Sequence, residues 1–224
     1  MPRTVITGAS RGIGHALTIE LARCGHDVLA LCRKPAEVTG LADVDGVTVR
    51  GLDVASPVAM HSFATSLDGT IDILVNNAGI AGGKLRDNLS EADFQMADDV
   101  FRVNAVAPLL LTRLLADRLP PGALIVNVTS IMGSNAANTS GGMAIYRASK
   151  AALNSITRTL AAELGPKDVT VLAVHPGWVR TDMGGPSANI DTETSARGIA
   201  QVIADADPSQ NGTYLDWKGD SLPW

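Results

Sequence analysis

The sequence is poor in the features that mark several large classes of protein. It has two cysteines, Cys24 and Cys32, which do not form a C-x-x-C pair, so we expect two reduced thiols rather than a disulfide framework. No apolar run approaches the roughly 20 residues of a membrane-spanning helix. The 18 basic and 23 acidic residues are interspersed without a basic stretch that could follow a phosphate backbone, and the four histidines lack metal-ligand spacing. We therefore expect a cytoplasmic protein with no membrane, nucleic-acid or metal partner.

Short apolar runs instead alternate with longer amphipathic segments along the whole chain. Strands are predicted near 3–7, 27–32, 47–51, 71–76, 123–129, 169–175 and 213–216. Helices are predicted over 12–24, 56–67, 90–118, 144–164 and 192–206. This alternation is typical of β-α units that build a parallel sheet. Because 224 residues are the size of one domain, we predict a single α/β domain over residues 1–224, with a doubly wound sheet of seven parallel strands flanked by helices.

Glycines gather between the first predicted strand and the first predicted helix. Glycine lets the backbone approach a pyrophosphate closely, and the free N–H groups at a helix N-terminus attract its negative charge. An ordinary glycine-rich turn has a similar composition, but the order of strand, glycine loop and helix favours nucleotide binding. The candidate phosphate-binding residues are Gly8, Ser10, Arg11, Gly12, Ile13 and Gly14.

Further landmarks follow the glycine loop in a distinctive order. The fourth predicted strand ends in Asn76-Asn77-Ala78-Gly79, Asn104 lies in the long helical segment, and Ser130 follows the fifth strand. The next helix opens with Tyr146-Arg147-Ala148-Ser149-Lys150, and Pro176-Gly177 ends the sixth strand. With the G-x-x-x-G-x-G spacing of the glycine loop, this set resembles the short-chain dehydrogenase/reductase family. The start of the helix at Tyr146, the segment 176–185 and Leu222-Pro223-Trp224 are similar to the C-factor and Sniffer-type carbonyl reductase branch of that family.

The resemblance implies a Rossmann-type fold that carries out hydride transfer between a nicotinamide cofactor and a carbonyl or alcohol carbon of a small substrate. It also implies a homodimer or homotetramer, for which we expect segments 90–118 and 144–164 to form the contacts. Asp53 and Val54 match the family's adenine contact, although Asp53 could equally be the N-cap of the following helix. The other cofactor contacts that the resemblance implies are Asn77, Ala78, Gly79, Tyr146, Lys150, Pro176, Gly177, Val179 and Thr181, the last at the nicotinamide carboxamide.

The end of the second predicted strand distinguishes the two nicotinamide cofactors. A carboxylate there binds the ribose 2′-hydroxyl, whereas an arginine accommodates a 2′-phosphate. Here the strand runs into Arg33-Lys34, and relatives that prefer NADP also carry a base at the position of Arg11. Each arginine alone could be a solvated surface base. Together they predict NADPH/NADP+ as the cofactor rather than NADH.

A carbonyl that receives a hydride becomes an alkoxide and needs a proton, which identifies a second group of residues. Tyr146 is the candidate donor, and Lys150 lies one helical turn away, where its positive charge is expected to lower the tyrosine's pKa. The Ser130 hydroxyl can hydrogen-bond the substrate carbonyl. An asparagine in an apolar helix is otherwise unfavourable, and the resemblance gives Asn104 a water that links Lys150 to solvent. We predict Ser130, Tyr146, Lys150 and Asn104 as the catalytic set.

Two segments rich in glycine and asparagine, 133–142 and 184–189, follow predicted strand ends and are expected to wall the substrate pocket. They bring small and apolar residues with them, which suggests a modest, apolar carbonyl compound. The rival hypothesis is a nucleotide-binding signalling or sensor protein of the C-factor type, with little or no turnover. Such a protein would not need a proton donor, so the Ser, Tyr and Lys set favours the enzyme. The apolar residues in and beside these segments are Met132, Met143, Trp178 and Met183.

Overall fold

The computed structural model describes residues 1–83 and 88–224 and is built around one parallel sheet. Its strands are β1 (Arg3–Thr7), β2 (Asp27–Cys32), β3 (Val47–Gly51), β4 (Ile73–Asn76), β5 (Leu124–Val128), β6 (Thr170–His175) and β7 (Tyr214–Asp216). They are hydrogen-bonded in the order β3-β2-β1-β4-β5-β6-β7. The predicted seven-stranded, doubly wound parallel sheet is confirmed, and each strand begins and ends within two residues of its predicted bounds.

Helices cover both faces of the sheet. They are α1 (Gly12–Arg23), α2 (Pro57–Ser66), α3 (Glu91–Phe101), α4 (Ala107–Leu114), α5 (Ala144–Leu164) and α6 (Thr192–Ala204). Neighbouring strand residues point to opposite faces: Ile125 packs with Leu111 of α4 and Leu160 of α5, whereas Val126 packs with residues of α1 and α6. Burial on both sides explains why the central strands are almost continuously apolar.

The strand order reverses between β1 and β4, which are adjacent in the sheet although two strands and two helices separate them in the chain. In open α/β sheets the connections at such a point diverge to opposite faces, and a crevice opens beyond the carboxyl ends of the strands. The glycine loop follows β1 and residues 77–79 follow β4, so both border this crevice.

The helix predicted over 90–118 is wrong as one continuous element. It is divided into α3, a π-helical turn (Arg102–Val106), α4 and a 3₁₀ turn (Ala116–Arg118). Proline lacks a backbone N–H, so Pro108 cannot donate to the carbonyl of Asn104, four residues before it, as a regular α-helix would require. π-helical turns are rare and occur frequently at functional sites, and this one contains Asn104.

Candidate active site

The glycine loop is packed so tightly against the end of β4 that side chains are excluded. A Cβ added to Gly14 would lie 2.3 Å from Nδ2 of Asn77 and 2.4 Å from the Gly8 carbonyl oxygen. A Cβ on Gly8, whose φ is +71°, would lie 2.8 Å from Cα of Ala78. These glycines are therefore required by the close approach of two backbones, in addition to any ligand.

The side chains of Thr7 and Asn77 fasten this contact. The Asn77 amide donates to the carbonyl oxygens of Thr7 at 2.9 Å and Gly8 at 3.2 Å. The Thr7 hydroxyl oxygen accepts from the backbone N–H groups of Asn77 and Ala78, both at 3.1 Å. Asn77 thus holds the glycine loop in shape, and a direct contact between its side chain and a cofactor stays a prediction.

The first turn of α1 is where the sequence predicts an anion-binding site. Arg11 is the N-cap residue but makes no side-chain capping hydrogen bond, and the first turn contains no acidic residue. Backbone N–H groups at a helix start have no partner within the helix, and the helix dipole favours a negative charge there. Gly12 faces the Thr181 methyl group, which would lie 3.3 Å from an added Cβ. These residues fit the pyrophosphate of a dinucleotide.

The structure brings the predicted serine and tyrosine together where β5 and α5 meet. Ser130 follows β5 directly, its hydroxyl oxygen accepts from the Met132 N–H at 3.2 Å, and it also hydrogen-bonds the Tyr146 side chain. Both residues are at least nine-tenths buried. A carbonyl oxygen placed between the two hydroxyl groups would receive two hydrogen bonds, the arrangement that stabilises an oxygen as negative charge develops on it.

Lys150 lies beneath Tyr146, one turn further along α5. Its ammonium nitrogen is 5.9 Å from the centre of the Tyr146 ring and donates to the Val128 carbonyl oxygen at 2.8 Å. The side chain is buried, with 4% of its surface exposed. Because burial disfavours a charged group, the pKa of Lys150 falls from 10.5 to about 8.

The expectation that Lys150 lowers the pKa of Tyr146 is wrong for the protein as described. Burial of the tyrosine raises its pKa above 10, and the hydrogen bond with Ser130 offsets only part of that rise. Desolvation of the hydroxyl group is the largest cause of the raised pKa. At neutral pH Tyr146 therefore keeps its proton.

Asn104 is fully buried and connects three parts of the site. Its amide oxygen accepts from the Ile80 N–H and its amide nitrogen donates to the Ile80 carbonyl oxygen, both at 2.8 Å. The same nitrogen donates to the Ser149 hydroxyl at 3.0 Å, which in turn donates to the Tyr146 carbonyl oxygen at 2.8 Å. The amide oxygen and the Lys150 ammonium lie 3.3 and 3.5 Å from the point that a Cβ on Gly79 would occupy. Asn104 therefore links the segment that follows β4 to α5, beside Lys150.

The predicted adenosine-binding residues lie at the carboxyl ends of β2 and β3. Arg33 is exposed directly after β2, whereas Arg11 forms an ion pair with Asp182 in which both side chains are mostly exposed. Asp53 is exposed and its carboxylate accepts from the Ala55 N–H at 3.0 Å, while Val54 is buried. The alternative that Asp53 caps α2 is wrong: Ser56 is the N-cap residue.

The segment after β6 packs against α6 and the glycine loop, and its place beside the substrate pocket stays a prediction. The Pro176 carbonyl oxygen accepts from the buried Ser195 hydroxyl at 2.7 Å, and Val179 pairs with Ile190 in an isolated bridge. The Thr181 hydroxyl accepts from the Gly184 N–H at 3.1 Å, which closes a compact turn. Pro176, Gly177 and Val179 are thereby fixed, and Thr181 lies against the glycine loop.

The segment 133–142 is held against the start of α5 by an arginine, and its place beside the substrate pocket stays a prediction. The Arg147 guanidinium donates to the carbonyl oxygens of Gly141 and Gly142 at 3.1 and 3.0 Å and to the Ser140 hydroxyl at 3.0 Å. A groove of about 270 Å³ between this segment and α5 is lined in part by Met132 and Arg147. Met143, Trp178 and Met183 are each roughly half exposed, as expected for apolar residues near an open site.

No three histidine, cysteine, aspartate or glutamate side chains within residues 1–83 and 88–224 are grouped so that they could hold a metal ion. In the same part of the chain no helix is both long and apolar enough to cross a membrane.

Comparison with known protein families matches residues 3–190 to the short chain dehydrogenase model. The chain belongs to this family. The resemblance predicted from its motifs is thus confirmed. Oxidoreductase chemistry is the activity of the family, and the Rossmann-type sheet described above is its fold.

Individual short-chain dehydrogenases resemble this chain over most of its length. The C-signal protein of Myxococcus xanthus is 42% identical over 168 residues, which are 74% of this chain and all of the relative. The structure of the carbonyl reductase Sniffer of D. melanogaster superposes with a TM-score of 0.92 at 32% identity and covers 100% of both chains. A carbonyl reductase from chicken fatty liver, solved with NADPH bound, has a TM-score of 0.90 at 30% identity and covers 100% of this chain and 99% of its own. These similarities agree with the predicted carbonyl reductase branch.

Several residues that shape this short-chain dehydrogenase site were not among the predicted ones. Thr7 and Ser149 have hydroxyl groups that hold the glycine loop and the start of α5, and Tyr214 donates a 2.6 Å hydrogen bond to the Ser130 carbonyl oxygen. The sequence could have indicated Thr7 and Ser149, because Thr7 directly precedes the glycine loop and Ser149 lies in the motif from Tyr146 to Lys150. Tyr214 is 84 residues from its partner, and no local pattern indicates that contact.

Proposed function

We propose that this short-chain dehydrogenase is an NADP(H)-dependent oxidoreductase that acts on the carbonyl or alcohol carbon of a small, apolar substrate. The observation that carries the proposal is the cluster of Ser130, Tyr146 and Lys150 at the carboxyl edge of the sheet, beside an anion-binding helix start. A binding module would need the helix start but not the buried proton donor.

Each residue of the cluster has a distinct part in the proposed reduction. The Ser130 and Tyr146 hydroxyl groups hydrogen-bond the carbonyl oxygen, and Tyr146 gives up its proton as the oxygen becomes an alcohol. A bound nicotinamide would supply the hydride to the carbonyl carbon. Lys150 stabilises the tyrosine as its proton leaves, and Asn104 holds the backbone at Ile80 beside the lysine, where its amide oxygen can also accept from a water.

NADP(H) is proposed as the cofactor because of charge at the adenosine end of the crevice. Arg33 is exposed at the end of β2, where a planar guanidinium can bind a 2′-phosphate with two hydrogen bonds. Arg11 starts α1 nearby and would exchange Asp182 for the phosphate. The pyrophosphate would meet the N–H groups of residues 12–14, and Thr181 the carboxamide. The chicken relative solved with NADPH supports this assignment, and NADH is the less favoured cofactor.

We also propose a homodimer or homotetramer that works in the cytoplasm. Val106 and Leu110 expose apolar side chains on and beside α4, in one of the two segments predicted to form subunit contacts. Cys24 and Cys32 are both free thiols, which fits a reducing compartment.

The proposal is tested by titrating the protein with NADPH and NADH, monitored by fluorescence, and then adding a panel of ketones, aldehydes and quinones. We expect tighter binding of NADPH and its oxidation by at least one carbonyl compound. Tyr146→Phe should still bind NADPH and should lose turnover by at least about a thousandfold, because it cannot donate the proton. Tight NADPH binding without turnover across the panel would instead favour the signalling or sensor hypothesis, which similarity to the C-signal protein keeps in view.

Arg33→Asp tests the cofactor assignment separately. The carboxylate should repel the 2′-phosphate and accept from a ribose hydroxyl, so the preference should shift toward NADH by about 100-fold or more, as for the loss of a charge-assisted contact. Lys34→Ala is the matched control, because Lys34 is the adjacent base and already pairs with Glu37 at 2.9 Å. Equal effects of the two variants would contradict a specific role for Arg33.

A further inference from the structure

Hydrogen bonds hold the main chain of Ser130 as well as its side chain. Its carbonyl oxygen accepts two hydrogen bonds, one from the Tyr214 hydroxyl at 2.6 Å and one from the Gly133 N–H at 2.7 Å. A carbonyl oxygen has two lone pairs, so both are used. Tyr214 begins β7 and is almost completely buried.

Hydrogen bonds of the Asn154 side chain join the turn that follows Ser130 to α5. The Thr129 hydroxyl donates to the Asn154 amide oxygen at 2.7 Å, and the Asn154 amide nitrogen donates to the Gly133 carbonyl oxygen at 3.2 Å. A Cβ on Gly133 would lie 2.8 Å from the Lys150 carbonyl carbon. The backbone that carries Ser130 is therefore fixed relative to the helix that carries Lys150.

The segment Leu222-Pro223-Trp224 contacts both Tyr214 and the first residues of the 133–142 segment. The Trp224 ring contacts the Tyr214 ring with centroids 5.1 Å apart, and the Arg158 guanidinium lies 5.9 Å from the centre of the Trp224 ring. The Trp224 main-chain oxygen accepts from the Ser134 hydroxyl at 3.2 Å and the Ala136 N–H at 3.1 Å. One residue thus supports Tyr214 and the first half of the substrate wall.

We infer that Tyr214 is a positioning residue for Ser130, and that Trp224 keeps Tyr214 in place. The tyrosine restrains the peptide that follows Ser130, so the serine hydroxyl stays aimed at the position of the substrate oxygen and the Tyr146 hydroxyl. Misplacement of such a group by a fraction of an ångström weakens the transition state more than the bound substrate. The role in turnover rests on the proposed function, whereas the restraint on the backbone does not.

The test compares wild type with Tyr214→Phe, which removes one oxygen atom and keeps the ring that packs on Trp224. In the cofactor-free protein, amide hydrogen exchange should become faster in peptides covering residues 130–137. In turnover with NADPH, kcat should fall by about tenfold, the factor that one buried hydrogen bond of average strength supplies, while KM and the NADPH dissociation constant should change less than about twofold.

Thr213→Val is the matched control, because it removes a hydroxyl one residue away. Oγ of Thr213 is buried and has no hydrogen-bond partner among the described residues, so its loss should leave exchange at 130–137 and kcat unchanged. If Tyr214→Phe does not fold, Trp224→Ala replaces it and should change exchange and kcat in the same directions.

Three outcomes are distinguishable. Exchange and kcat of Tyr214→Phe that equal those of wild type overturn the inference. A lower melting temperature with unchanged kcat shows that Tyr214 is only structural and also overturns it. A wild-type protein that reduces no carbonyl compound refutes the proposed function, while the exchange comparison still decides whether Tyr214 restrains Ser130.

Discussion

Replacing the buried lysine of the site with methionine should make the folded protein more stable while removing its activity. Lys150 is buried and its ammonium group donates a hydrogen bond to the Val128 carbonyl oxygen. Methionine has a similar length and no charge to desolvate. The difference in stability between Lys150→Met and wild type therefore reports the free-energy cost of the buried charge, because the packing of the side chain changes little.

The magnitude follows from the lowered pKa. Burial lowers the pKa of Lys150 from 10.5 to about 8, and one pKa unit corresponds to about 1.4 kcal/mol, so the buried ammonium costs about 3 kcal/mol at neutral pH. Loss of the hydrogen bond to Val128 offsets about 1 kcal/mol. The free energy of unfolding of Lys150→Met should exceed that of wild type by about 2 kcal/mol at pH 7.

The difference should also depend on pH with a definite sign. The folded-state pKa lies below the unfolded one, so between about pH 8 and 10.5 the unfolded chain binds more protons and wild-type stability rises with pH. Methionine does not titrate, so the gap between the two proteins should narrow by about 2 kcal/mol between pH 7 and pH 9.5. Measurements end at pH 9.5. Burial raises the pKa of Tyr146 and Tyr214, so at higher pH these tyrosines ionise more readily in the unfolded chain, which destabilises the folded state.

Urea unfolding at pH 7 and pH 9.5, followed by circular dichroism, measures this difference. Lys167→Met is the control, because Lys167 is exposed and its replacement removes a lysine without changing the buried site. A Lys150→Met protein that is less stable than wild type at pH 7, or a gap that stays constant with pH, would refute the idea that Lys150 is held as a desolvated charge.

Two further predictions concern the glycine loop and the end of β6. Gly14→Ala should weaken NADPH binding at least about 100-fold and lower the melting temperature, because its Cβ would meet Asn77 and the loop backbone. Gly83→Ala, where a Cβ meets no atom of the described residues within 4 Å, should do neither in the same titration. Burial lowers the pKa of His175 from 6.5 to about 4, so this residue alone should remove at most about 3 kcal/mol of wild-type stability as pH falls from 6.5 to 4. His175→Gln should lose less than wild type over that range in urea unfolding, whereas the exposed His61→Gln should not differ from wild type.

The strands and the glycine loop were predictable because their causes are local. A strand buried on both faces must be apolar along its whole length, and a helix that starts beside another backbone must begin with glycine. The π-helical turn at Asn104 had a local cause as well, in Pro108, but the apolar period over 90–118 conceals it. A proline inside a helical pattern was the signal that would have divided this segment.

The polar interior could not be predicted in the same way. The Asn76 amide donates to the Asn127 amide oxygen at 2.8 Å, and the Asn127 amide donates to the Thr157 hydroxyl at 2.9 Å, a buried chain from β4 through β5 to α5. Each partner is at least 30 residues from the next, so the pairing depends on strand order and register. The same holds for the pKa of Tyr146, where the separation of four residues from Lys150 indicates attraction but not the depth of burial that outweighs it.

We expect the raised pKa of Tyr146 to favour carbonyl reduction over alcohol oxidation near neutral pH. Reduction requires a protonated tyrosine, which burial favours, whereas oxidation of an alcohol requires the tyrosine to have lost its proton. Between pH 6 and pH 8 we therefore expect the rate constant for carbonyl reduction to be nearly constant, and that for alcohol oxidation to rise about tenfold for each pH unit. Initial rates with saturating NADPH or NADP+ across this range measure both. An oxidation rate that does not change with pH would mean that the hydroxyl of Tyr146 is not the group that takes the proton.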